Sequence, residues 1–405
     1  MGGPLDGIRV IDFGQFLAGP FGPMVLSDLG AEVIKVEPVV GDTMRMAGKP
    51  FFACQRGKRD IAVNLKRPEG QQIALDLIAT ADVVHHNMTL GVATRLGIDY
   101  EACRAVNPSV IYCNTYAYGF EGPLAHSGGL DPLYQASAGL EYEAGGAQHG
   151  NTPLYYRFGM TDAANALLSV YGVIAALYHR SRTGEGQELW TSLLDGAALY
   201  SSDMVLAGGE PWDRPRIDQD LQGIDALYRL YPTQDGGWIQ IAAVKESEFR
   251  ALTTVLGVPE VADDPRFATP ALRKEHRSEL DALLEARFLL KLAPQWHNFL
   301  DEAGVPNEVP IDPQQGDLIL NDADNVRLGL VAEYEHGLLG TMRQYGSLID
   351  FSDTPGGPQG PPPLAGQDTR VILDELGYDD ARIGQLESDD VVYQAGDDYA
   401  TRFTN

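Results

Sequence analysis

The chain predicts an α/β protein with a large Rossmann-like parallel sheet and a second, smaller α+β domain. Three observations carry that expectation. Short β-rich runs alternate with helical patterns up to Asn114, as strand, helix, strand units do. A Pro and Gly cluster, Gly208-Gly-Glu-Pro-Trp-Asp-Arg-Pro215, then separates this region from a hairpin pattern and a run of helices. The length, 405 residues, is enough for two domains or three.

Ile8-Arg-Val-Ile-Asp-Phe13 reads as the first strand, ending at Gly14, and Glu32-Val-Ile-Lys-Val-Glu37 as the second. Between them Ala18-Gly-Pro20 opens a helical pattern that runs through Asp28 and stops at Leu29-Gly30. The turn Gly14-Gln-Phe-Leu-Ala-Gly-Pro20 leaves the carboxyl end of the first strand, where open α/β sheets bind ligands. It lacks Gly-x-Gly-x-x-Gly, so neither a nicotinamide nor a flavin dinucleotide is expected. The pattern repeats with a Pro-started helix over 68–80, a strand over 81–86 closed by Asn87, a short helix over 92–96 and a strand over 109–114. Residues 119–153, rich in Gly and small polar residues, read as irregular chain.

Past the Pro and Gly cluster, strands over 226–231 and 238–242 flank Gln234-Asp-Gly-Gly237 as a hairpin, and helices are expected at 246–256, 273–290 and 294–303. Ser347-Leu-Ile-Asp-Phe351 looks strand-like, and a last helix covers 368–376. Seven acids against two arginines between Tyr378 and Asn405 read as a solvated tail.

Composition narrows the function classes. A net charge of −27 argues against nucleic acid and against an anionic membrane surface. No apolar run is expected to span a membrane, and the first residues carry no signal-peptide pattern, so a cytoplasmic protein is expected. Cys54, Cys103 and Cys113 have no metal spacing, and His85-His86 on a strand would point to opposite faces, so no metal is expected. Between Arg45 and Arg67 stand seven basic residues (Arg45, Lys49, Arg56, Lys58, Arg59, Lys66, Arg67) against one acid, Asp60, either a cradle for a phosphorylated ligand or a solvated loop.

The stretch Arg157-Phe-Gly-Met-Thr-Asp162 leads into an Ala- and Leu-rich helix over 163–182 that turns basic at His179, Arg180 and Arg182 and stops at Thr183-Gly184. Asp162 thus falls at the helix N-terminus. There the dipole and unpaired N–H groups would hold it ionised, which suits an anionic nucleophile and equally an ordinary N-cap.

Several fragments in order resemble family III CoA-transferases, which include formyl-CoA transferase and the α-methylacyl-CoA racemases. They are Leu17-Ala-Gly-Pro20; Leu29-Gly-Ala-Glu-Val-Ile-Lys-Val-Glu-Pro38 with Gly41-Asp42 and Arg45; Lys58-Arg59, Asn64-Leu-Lys66 and Pro68-Glu-Gly70; Asp82-Val-Val-His-His-Asn87; Asp162 with Thr183-Gly-Glu-Gly-Gln187; and Pro363-Leu-Ala-Gly366 with Glu375-Leu-Gly-Tyr378. The resemblance spans nearly the whole chain. It implies that Asp162 attacks an acyl-CoA thioester, that an acyl-aspartyl anhydride and an aspartyl-CoA thioester follow, and that a carboxylic acid finally takes the CoA. It also implies that Gln15, Phe16, Lys66, Asn87, Met88, Arg95 and Leu96 bind coenzyme A, Lys66 and Arg95 at the phosphates and Met88 or Leu96 at the adenine. By the same resemblance, 1–207 and 326–405 form one large domain, 208–215 is a linker, 216–325 is the small domain, and two copies interlock as a homodimer.

The departures from the family pattern are specific. The racemases carry a catalytic His within Gly-His-Asp, where this chain has Gly129-Leu-Asp131; Leu130 cannot exchange a proton, and His126 is out of register. Formyl-CoA transferase has Gln at Leu17, Tyr at Leu130 and a Gly-rich loop that is not evident near Ala242-Ala-Val-Lys-Glu246. These differences point to a larger, less polar acyl group than formate or oxalate. A racemase, or a CoA-binding homologue with reduced catalysis, is the alternative.

Overall fold

The computed structural model describes residues 2–47, 49–212, 214–311, 317–396 and 399, with backbone alone at 46, 47, 49, 50 and 317. The chain divides into two compact units, one of 1–138, 157–202 and 317–405, the other of 139–156 and 203–316. Residues 139–156, from the Gly-rich stretch, therefore group with the second unit, and 317–325 with the first.

The first unit is built on a seven-stranded sheet. Its strands are β1 (Arg9–Asp12), β2 (Glu32–Glu37), β3 (Lys58–Val63), β4 (Val83–His86), β5 (Ile111–Tyr116), β6 (Glu188–Ser192) and the short C-terminal Val392–Tyr393. In space the order is Val392–Tyr393, β3, β2, β1, β4, β5, β6. All neighbours among β1 to β6 are parallel, with Val10 beside both Val33 and Val83, whereas Val392 runs antiparallel to β3 opposite Val63. The strand order reverses between β1 and β4. The turns leaving these two strands diverge there, which opens a crevice at the carboxyl edge.

Alternate residues of each strand feed two cores, as the two-residue period of a strand requires. Ile11, Ile34 and Val84 pack with Ile73 and Leu77 of α2 (Pro68–Ala79) and with Ile372 and Leu373 of the C-terminal helix Thr369–Glu375. Val10, Val33 and Val83 pack on the other face with Met24, Val25 and Leu26 of α1 (Phe21–Asp28) and with Val170 and Val173 of the long central helix, Met160–Thr183. That helix, contrary to the expectation that no run qualifies, is long and apolar enough by length and composition to cross a bilayer, because Ala, Val and Leu fill it. Here its inner face is buried through Ala164, Asn165, Ser169, Val170, Val173 and Ala176.

The C-terminal region is more than a solvated tail. Asp380–Ser388 is helical, buries Ile383 and Leu386, and leads into the edge strand Val392–Tyr393. The strand expected at 347–351 is absent: the Ser347 hydroxyl donates to the Ile349 carbonyl at 2.8 Å, a local turn that competes with pairing. The strands lie just before it, in the hairpin Val331–His336 and Gly340–Tyr345. Residues 119–153 are less irregular than expected and contain the helices Asp131–Ser137 and Leu140–Ala144.

The second unit carries a four-stranded antiparallel sheet in the order Asn307–Glu308, Trp238–Ala242, Tyr228–Pro232, Gly223–Asp225. Tyr231, Ile239 and Ile241 pack on Phe249, Leu284, Phe288 and Trp296. The expected hairpin is present, with Tyr228 opposite Ala242. The helix expected over 273–290 is broken at His276 into Pro270–Glu275 and Arg277–Phe288.

Candidate active site

The turn after β1 is shaped by buried ion pairs beneath it. Lys58 Nζ donates to Asp12 Oδ2 at 2.8 Å, to the Pro20 carbonyl at 2.7 Å and to Gln55 Oε1 at 2.9 Å. Lys35 Nζ donates to the Gly14 carbonyl at 2.7 Å and lies 3.2 Å from Asp42 Oδ2. From the neighbouring strand Asn87 clamps the turn in both directions: its Oδ1 accepts from Gln15 N at 2.9 Å and its Nδ2 donates to the Gln15 carbonyl at 2.9 Å. A side-chain amide offers a donor and an acceptor on neighbouring atoms, as this clamp requires. Gly19 is required for the fit, since a Cβ there would lie 2.6 Å from Asn87 Oδ1. Phe16, held in a left-handed conformation at φ 60° with its side chain 44% exposed, marks the point of strain.

This turn borders a cleft of about 370 Å³ lined by Gln15, Phe16, Asn87, Met88, Leu130 and Asp162, with Leu96, Tyr116 and Leu193 farther along. A second cleft of about 360 Å³ shares Gln15, Met88 and Leu96 with the first and continues past Pro38, Val39 and Leu65 to Lys66. Seven of the eight residues singled out in the sequence therefore line one of two adjoining clefts. Arg95 does not. It ends α3 (Val92–Arg95), is exposed and lines neither cleft.

Most of the basic island is also spent elsewhere. Arg45 pairs with Glu37 and stands near Asp60, Arg56 pairs with Asp28, Lys58 with Asp12, and Arg59 with Glu32 and Glu375. The first three cations are buried, so they brace the sheet and its turns and are not offered to a phosphate. Lys66 and Arg67 remain exposed, and the Lys49 side chain lies outside the described residues.

Asp162 is 9% exposed and lies in the first turn of α5, Met160–Thr183, where α4 is Asp131–Ser137. It is not the N-cap. That position belongs to Gly159, at φ 74°, where a Cβ would approach Leu17 Cδ2 to 2.5 Å. Two backbone donors at the start of α5, those of Gly159 and Thr161, are taken by Asp131. Its Oδ1 accepts from Thr161 N at 2.8 Å and Thr161 Oγ1 at 2.6 Å, and its Oδ2 from Gly159 N at 3.0 Å and Gln135 Nε2 at 2.6 Å. Asp162 is therefore not held ionised by the helix end as the sequence suggests. Burial first, and the charge of Asp131 second, push its carboxyl up to about 7.

The other ionisable candidates are inert. Burial pushes the Cys54 and Cys103 thiols up to about 12 and raises Cys113 as well. Burial lowers His85 to about 4 and His86 to about 3; they face opposite ways, His85 to Ser169 and His86 to Tyr112.

The model of the family described as "CoA-transferase family III" matches residues 5–369. The chain belongs to that family. It is 34% identical over 404 residues to the mouse protein named succinyl-CoA:glutarate CoA-transferase, covering 96% of this chain and 91% of the relative. It is likewise 34% identical to the succinate–glutarate CoA-transferase of Agrobacterium fabrum, over 92% of this chain and 96% of that one. A crystal structure of a CaiB/BaiF family protein from Brucella suis superimposes with a TM-score of 0.79 at 31% identity, covering 93% of this chain and 100% of that one. This chain is thus a family III CoA-transferase, an enzyme whose substrates are CoA thioesters.

Asp131, noted in the sequence only as the end of Gly129-Leu-Asp131, was given no role there. The only signal was Gly-Gly-Leu-Asp-Pro, a helix start with Pro132 in its first turn.

Proposed function

We propose that this enzyme moves CoA from an acyl-CoA to a free carboxylic acid through covalent intermediates on Asp162. The observation that carries this reading is that Asp162 is the one carboxylate among the described residues lining the cleft, and that no hydrogen-bond donor among them engages its oxygens. A carboxylate in that state is poorly solvated and available to attack. Its oxygen adds to the thioester carbonyl, the C–S bond breaks, and an acyl-aspartyl anhydride and CoA thiolate result. The thiolate then attacks the aspartyl carbonyl, releasing the donor acid and leaving an aspartyl-CoA thioester. The acceptor carboxylate attacks that thioester, and the released thiolate attacks the acceptor's carbonyl. The second cleft, with Met88, Leu96 and the exposed Lys66, suits the CoA moiety.

Leu130 lines the cleft beside Asp162 and leaves no second proton-transfer group where a racemase needs one. Hydroxylamine added to enzyme and acyl-CoA should give a hydroxamate at Asp162, located by peptide mass mapping. No adduct across a panel of thioesters would sink the transferase reading, and Cα deuterium exchange without CoA transfer would favour a racemase.

The acyl group has two readings. The relatives named for succinate and glutarate favour a dicarboxylic donor. Ala18, Ala117, Leu130 and Leu193 in the cleft, with no Arg or Lys among its lining residues, favour an uncharged chain. Relative rates with succinyl-CoA and butyryl-CoA discriminate between them. A homodimer is also proposed, because α5 exposes Leu167, Tyr171, Ile174 and Tyr178 as one stripe at helical spacing. Sedimentation equilibrium tests it, and a monomer at micromolar concentration would contradict it.

A further inference from the structure

Among the described residues Asp131 accepts four hydrogen bonds and pairs with no cation. Its partners are the backbone N–H groups of Gly159 and Thr161, the Thr161 hydroxyl and the Gln135 amide, which also donates to the Arg157 carbonyl at 2.5 Å. The amide donors are those that an anion at a helix N-terminus ordinarily uses. Asp162, one residue beyond Thr161, is thereby excluded from them. At other helix starts of this chain the capping side chain accepts from one backbone N–H, whether it is Ser192 and Thr269 or Asp99 and Asp379. Asp131 instead brings a carboxylate to the flank of a second buried carboxylate, which is unfavourable for stability and needs another reason.

We propose that Asp131 is a positioning residue for Asp162: by taking the Gly159 and Thr161 N–H groups at the start of α5 and standing beside it as a like charge, it leaves Asp162 an undercoordinated and strongly nucleophilic carboxylate. This rests on the reading of Asp162 as the acylated group. The other ionisable groups on the elements around α5 do not compete for this role. Tyr134 on α4, Tyr116 on β5 and His85 on β4, which meets Ser169 of α5, are held neutral by burial. Asp195, in the helix Leu193–Leu199, bonds to Ser192, Glu188 on β6 bonds to Asn114, and Asp28 on α1 pairs with Arg56.

The test is titration of the Asp162 carboxyl by ¹³C NMR in full-length enzyme labelled at aspartate, with Asp162→Asn assigning the resonance. Wild type should titrate near neutrality. Asp131→Asn and Asp131→Ser should each move the midpoint down by about one pH unit or more, because a like charge is removed and donors are released toward Asp162. Thr161→Val breaks one bond to Asp131 without changing charge, so it should lower the melting temperature and leave the midpoint in place. A wild-type midpoint below 5, or the same midpoint in wild type and in whichever Asp131 variant folds, would overturn the proposal. Hydroxylamine trapping on the same proteins separates the two readings: a shifted midpoint without any adduct would retain the electrostatic role of Asp131 and remove the covalent role of Asp162.

Discussion

Two buried carboxylates of this enzyme, Asp12 and Asp162, have opposite surroundings. Asp12 closes β1 and is answered by Lys58 Nζ at 2.8 Å and by Gly14 N at 2.7 Å. Asp162 lies in the first turn of α5, and Asp131 takes the N–H groups of Gly159 and Thr161 just before it. The first arrangement builds a turn; the second leaves a charge poorly stabilised where the cleft opens. Burial alone therefore does not single out a candidate reactive group; burial without a partner, beside a cavity, does.

Neutralising each carboxylate in turn should have opposite effects. Asp162→Asn should lower transfer by about 10⁴-fold or more, as removal of a covalent nucleophile does, while the far-UV spectrum is unchanged. Asp12→Asn should act on the fold, because Lys58 would stay buried without its counter-charge. A loss of about 3–5 kcal/mol is expected, read by urea denaturation. If Asp12→Asn were neutral for stability and Asp162→Asn strongly destabilising, the assignment of the two carboxylates would be reversed.

Asp162 should moreover carry a stability penalty that grows with pH. Its carboxyl is raised to about 7 in the folded enzyme, above the usual carboxylate range, so the folded state binds that proton more tightly than the unfolded chain. Ionising it costs stability at pH values above 7, and the cost fades as pH falls toward the ordinary carboxylate value. Asp162→Asn should therefore melt higher than wild type at pH 8, by an amount on the order of a few kcal/mol, with the gap closing toward pH 4. A gap independent of pH would point to packing and not to charge.

Smaller effects should separate positioning from binding. Gly159→Ala places a Cβ 2.5 Å from Leu17 Cδ2 at a positive φ, and should cost about 1–2 kcal/mol with a fall in kcat. Lys66→Ala, at the exposed end of the second cleft, should raise KM for acyl-CoA about two- to fivefold with kcat unchanged, the scale of a solvent-screened charge contact.

The parallel sheet was legible because each strand and helix announces itself within a few residues: Ile8 to Phe13 by its β-rich run, Pro68 and Thr183-Gly184 by their helix ends. Asp162 could be placed at a helix start for the same reason. What the chain does not announce is who answers whom. The basic island reads as a cluster in one dimension, yet Arg45, Arg56 and Arg59 find Glu37, Asp28 and Glu375, the last more than 300 positions away. Asp131 lies 30 positions before Thr161, and its grip on α5 exists only once α4 folds against it. The C-terminal edge strand was hidden by the acids around it, because Val392 and Tyr393 make too short a run to register.

Covalent transfer through Asp162 requires it to exchange an oxygen with the substrate. The direct measurement is a turnover with an acceptor acid labelled in both carboxyl oxygens with ¹⁸O, followed by mass analysis of the peptide containing Asp162. Anhydride and thioester intermediates require one labelled oxygen to appear in the Asp162 carboxylate, because the acceptor contributes the bridging atom and CoA then departs with its acyl carbon. Transfer of CoA at full rate with no label in that peptide would contradict the account.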